Sequence, residues 1–87
     1  MTPADEFGPW RPGLDSAERL ARLRSLRAIA RLLTGPRGAR LVEALEQAEH
    51  DPDALPIAAD ELNRMPSLDR RQILGAFAGL YPRQKRG

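Results

Sequence analysis

Apolar residues recur along this chain at steps of three and four, the signature of helices with one buried face. The clearest case is Leu20, Leu23, Leu26, Ile29, Ala30 and Leu33. It predicts a first helix over 16–33, with Leu14 as staple, Asp15 as N-cap and Glu18 as capping-box partner. Gly35 and Pro36 end it. A second run, Leu41, Val42, Leu45 and Ala48, predicts a helix over 39–49. A third, shorter one spans 56–64, with Pro56 suited to its first turn and Leu55, Ala58, Ala59, Leu62 and Met65 on its apolar edge.

The last helix is expected over Ser67–Tyr81, as the most buried of the set. Pro66 ends the preceding helix, Ser67 is the expected N-cap, Asp69 suits the positive end of the helix dipole, and Pro82 closes the ladder. At about 100° per residue, Ile73, Leu74, Phe77, Ala78, Leu80 and Tyr81 share one arc, with Leu68, Gln72, Gly75 and Gly79 opposite. Two glycines inside a helix cost about 1 kcal/mol each against alanine. The Gly75–Gly79 spacing is expected to offset that cost through close approach of a second backbone, either another helix of this chain or a second copy in a homodimer.

The fold class is therefore all-α: a small single-domain bundle of four helices, three long and one short, the last two in a helix-turn-helix-like arrangement. The helical domain covers 14–82. Residues 1–13 form a Pro/Gly-rich arm and 83–87 a basic tail. The arm carries Phe7 and Trp10, the sole tryptophan. Trp10 is expected either to fold back and plug the core or to order on a partner.

Composition narrows the chemistry. Cysteine is absent and His50 is the one histidine, which leaves no thiolate or imidazole set for a metal and no nucleophile–base pair. No catalytic residue, metal, cofactor or small-molecule substrate is expected, and no stretch is apolar enough to span a membrane. No signal peptide is visible, which makes the cytoplasm the expected location. The preference for arginine over lysine, with many Ala, Leu and Gly, points to a GC-rich bacterial or phage source.

Charge changes the picture more. The formal net charge is only +2, but residues 39–63 hold one arginine and seven acids, while the flanking segments are basic. Arg24, Arg27 and Arg31 line one side of the first helix, either as solvated stems over apolar surface or as a ridge facing acids or phosphates. Glu43, Glu46 and Glu49 form an acidic edge on the second helix, solvated or set against those arginines.

Two functions fit. One is a small non-enzymatic regulator that binds another protein or itself, of adaptor, antiactivator or inhibitor type, through Trp10, Arg24, Arg27, Arg31, Gly75 and Gly79. The other is sequence-specific DNA binding. Over 57–80 the rhythm of short helix, tight turn and helix resembles helix-turn-helix regulators, on spacing alone. That resemblance implies Arg70, Arg71 and Gln72 as base readers, with Arg83, Lys85 and Arg86 on phosphates.

Overall fold

A computed structural model describes residues 8–11 and 13–80. The helices are α1 (Ser16–Thr34), α2 (Ala39–His50), α3 (Leu55–Arg64) and α4 (Ser67–Leu80). Short 3-10 turns at Gly8–Trp10, Gly35–Gly38 and Pro52–Ala54 lie between and before them, and no strand occurs among the described residues. The all-helical class holds.

Local chemistry sets the boundaries. Asp15 is the N-cap of α1: its carboxylate accepts from the Glu18 N–H at 2.7 Å, and its carbonyl accepts from Arg19 N–H at 2.9 Å. Glu18 does not complete a capping box; its carboxylate reaches forward to Arg22 Nε at 2.8 Å. At the far end Gly35 adopts φ +56°, a conformation that disfavours side chains, and its N–H returns to the Arg31 carbonyl. Thr34 Oγ1 donates to the Ala30 carbonyl at 2.6 Å. A Cβ on Gly38 would fall on that Oγ1, so glycine at 38 lets the turn close against the end of α1.

α2 runs back along α1, and α3 packs on α2 while α4 rests on α1. The core is Leu23, Leu26 and Ala30 of α1, Leu41, Ala44, Leu45 and Ala48 of α2, Ala54, Ala58 and Leu62 at and in α3, and Ile73 and Phe77 of α4. Alanine supplies much of this list, so the helices approach closely around a small number of large side chains.

Several sequence expectations need correction. Leu33 is 38% exposed and lies outside the core. Thr34 sits closer to the Leu23–Leu26–Ala30 line on the helix wheel, and the chain leaves the helix before any element covers Leu33. On α2, Ala44 is buried and Val42 half-buried. α4 is not the most buried helix: Asp69, Ile73 and Phe77 form one narrow buried stripe, flanked by half-buried Arg70, Leu74 and Ala78. Ile73, Leu74, Phe77 and Ala78 of the expected arc face inward, but the opposite side, with Leu68, Gln72, Gly75 and Gly79, faces solvent. α4 also starts at Ser67 itself, with the Pro66 carbonyl accepting from Arg70 N–H at 3.0 Å, so Pro66 occupies the cap position expected for Ser67.

Part of the arm belongs to the fold. Pro9 is buried and Trp10 packs half-buried against the core. The Trp10 indole Nε1–H donates to the Leu55 carbonyl at 2.8 Å. Arg19 holds the same turn from α1, with Nε donating to Pro9 O at 3.0 Å and Nη2 to Arg11 O at 3.3 Å.

Candidate interaction surface

The arginines divide into those the fold uses and those it leaves open. Along the α1–α2 seam, Arg27 Nε lies 2.9 Å from Glu49 Oε2 and its Nη1 3.9 Å from Glu46 Oε2. Arg24 Nε lies 3.6 Å from Glu49 Oε1. The Glu49 side chain is only 6% exposed. Its Oε2 meets Arg27 as an ion pair but off the line of a hydrogen bond. The acidic edge of α2 thus answers the α1 ridge, and Arg24 and Arg27 do not form the bare cationic surface that the ridge implied.

Two more arginines serve the fold around α4. Arg37 Nη2 donates to Asp69 Oδ1 at 2.9 Å, tying the α1–α2 turn to the first turn of α4. Arg70 Nη1 donates to the carbonyls of Asn63 and Met65 at 3.1 and 3.3 Å, satisfying groups that the end of α3 leaves without helical partners. Of the three expected base readers, only Arg71 and Gln72 remain exposed.

The other expected site residues scatter. Trp10 is engaged with α3 through Leu55, on the fold-back reading. Gly75 and Gly79 are exposed, and a Cβ added to either meets nothing within 4 Å. Among the described residues no helix lies across them, which goes against the intramolecular reading. Arg83, Lys85 and Arg86 lie outside the described residues, as does Tyr81.

What the structure does assemble was not expected as a unit. The Arg37–Asp69 pair places the start of α4 beside the turn where α1 ends and α2 begins. That end of the bundle carries exposed Arg31, Arg40 and Arg71, none with an ion-pair partner among the described residues. The first turns of α2 and α4 add the positive ends of two helix dipoles. Three large apolar side chains are exposed on the same elements: Leu32, at 84% and beside Arg31, with Leu33 next to it, and Leu68, at 61% in the first turn of α4. Arg31 lines two shallow open depressions, one of ≈ 360 Å³ with Arg24, Arg27, Ala28 and Leu32, the other of ≈ 590 Å³ running to Val42, Glu43 and Glu46. The sequence reading places Leu33 in the core, leaves Leu32 unmentioned and sets Leu68 with Gly75 and Gly79 on the side of the last helix where a second backbone is expected. The signal for Leu32 was available: it sits opposite Ala30 and Leu26 on the α1 wheel.

Among the described residues no group of three or more His, Cys, Asp and Glu side chains is placed to hold a metal, and no helix is long and apolar enough to cross a membrane. Comparison with protein-family models, with curated proteins and with solved structures gives no match. The arrangement at the basic end carries the functional reading.

Proposed function

We propose that this chain is a small non-enzymatic regulatory protein of the cytoplasm that acts by binding a polypeptide, as an adaptor, antiactivator or inhibitor does. One observation supports this most: leucines exposed among arginines at one end of the bundle. Large apolar side chains gathered on a surface and rimmed by polar ones mark protein interfaces. Arginine suits such a surface because its guanidinium is weakly hydrated and presents several donors to carboxylates.

DNA reading through residues 57–80 has less support. Arg70 is occupied by the end of α3 and Asp69 by Arg37. Leu68 stands at the start of the helix that would enter the groove, where polar side chains are needed to meet base edges.

A photo-crosslinking amino acid at position 32, introduced into the full chain in its native cell, tests the proposal. Crosslinking to a defined polypeptide, whether another protein or a second copy, is the expected result. Crosslinking confined to nucleic acid, or none, overturns it. A parallel titration with mixed duplex DNA at low and moderate salt is expected to show no tight, steeply salt-dependent binding.

A further inference from the structure

We infer that the chain associates with itself, the arginine–leucine end of one copy receiving the acidic outer face of α3 from another. This rests on the reading of the chain as a protein-binding module and names its partner. The argument begins with the exposed apolar side chains. Leu32 and Leu68 are at the basic end, and Ile57, 57% exposed, is on α3. Ile57 has its own charged setting of the opposite sign. Asp60 follows it on α3, Asp53 precedes it in the turn that leads into the helix, and both are exposed. Farther along, Arg64 leans on Glu61 at 3.7 Å, so that positive charge is partly answered within the face.

Each surface therefore offers what the other lacks. One shows leucine with unpaired arginine, the other isoleucine with unpaired aspartate. Unlike charges around matched apolar contacts favour one docking register over others. Within one molecule Asp53 and Ile57, at the start of α3, are held away from the arginine–leucine surface. α3 begins beside the Trp10 turn, at the end of the bundle where α1 starts, while the arginine–leucine surface lies where α1 finishes. The long dimension of the molecule is 38 Å.

The same details favour a polypeptide over nucleic acid at the basic end. Leucine gains nothing from phosphate. Glu43 and Glu46 line the depression that Arg31 enters, where a continuous polyanion would meet both. The separate carboxylates of a helix, unlike a continuous polyanion, can meet arginines singly without running the length of that depression. Two copies side by side and antiparallel would make the contact twice around a two-fold axis. Copies end to end would make it once per junction and form a chain or ring.

The test holds for either geometry. Sedimentation of the full chain from micromolar to millimolar concentration, at low and moderate salt, is expected to show mass rising with concentration and association weakening with salt. The pair Arg31→Glu with Arg40→Glu, and separately Asp53→Lys with Asp60→Lys, should each weaken association about tenfold or more. Neither pair removes an ion pair within the described residues, and circular dichroism checks that both variants stay helical. Mixing the two variants restores association, because the mixture offers the native contact and the same contact with its signs exchanged. Leu32→Ala with Ile57→Ala should weaken association without altering charge, which keeps the test open if a reversed variant fails to fold.

A chain that stays monomeric throughout overturns the inference. So does association indifferent to both charge reversals, or a mixture no better associated than its components. If the chain is monomeric yet the crosslinker at position 32 captures a different polypeptide, self-association falls and the binding-module reading stands. If that crosslinker captures no polypeptide, both fall.

Discussion

Arg27 and Arg31 lie one turn apart on α1 and have opposite fates. Arg27 is held between Glu46 and Glu49 in the α1–α2 seam. Arg31 shares an open depression with Glu43 and Glu46 but pairs with neither, and stands at the rim of the bundle end beside exposed Leu32. The same division separates Arg70, folded back on the end of α3, from its neighbour Arg71, left in solvent. Residue type and helix position do not decide which charges are available for binding. The neighbouring element decides, by bringing or withholding a carboxylate or an orphan carbonyl.

Engaged side chains should cost stability when removed, and open ones should not. The largest effect is expected for Trp10→Ala, which strips the arm from the core and leaves the Leu55 carbonyl without its indole donor, at about 2–3 kcal/mol in chemical denaturation. Trp10→Phe should recover the packing part and lose about 1 kcal/mol for the indole hydrogen bond. Next comes Glu49→Ala, which leaves Arg24 unanswered and Arg27 with only the longer pair to Glu46. Both arginines reach solvent, so the loss is expected at about 1–2 kcal/mol rather than the larger figure for a fully buried pair, and it should shrink in high salt. Arg70→Ala should cost about 1 kcal/mol through the frayed end of α3, seen as faster amide exchange at residues 62–65.

Gly75→Ala and Gly79→Ala sharpen the contrast by reversing the sign. Each sits in an exposed helix with open space where its Cβ would go, so each should stabilise the fold by about 0.5–1 kcal/mol in thermal unfolding. The smallest effect belongs to Arg31→Ala and Arg40→Ala, within about 0.5 kcal/mol of the parent. A substantial loss at either position would mean that the open set is engaged after all.

The sequence made the helices legible because their ends are chemically marked. Asp15 before the first repeat, Gly35-Pro36 after it and Pro66 before the last act on their own few neighbours and need no tertiary partner. The apolar arcs were legible for the same reason, and the burial of Ile73 and Phe77 follows the wheel. What lies opposite each arc was not. Gly75 and Gly79 read equally well under a crossing helix or open to water, and only the placement of α4 against α1 shows the second. Arg70 and Arg71 are alike as letters; the carbonyls of Asn63 and Met65 tell them apart. The surface at the bundle end draws on residues 31, 32, 40, 68 and 71, whose elements reach one end through the packing of α4 on α1 and the Arg37–Asp69 pair across the turn.

The contact between Gly38 and Thr34 has a consequence for how this chain can change. Any side chain at 38 needs the volume that Thr34 Oγ1 occupies. That oxygen cannot swing away without giving up its bond to the Ala30 carbonyl. The two positions are therefore linked in order as well as in effect. Gly38→Ala made first meets a collision, whereas Thr34→Ala made first removes the colliding oxygen and leaves the same second step only a tight contact with the Cβ of residue 34, at 3.1 Å. Descent through this turn has a preferred sequence of steps, set by one hydroxyl.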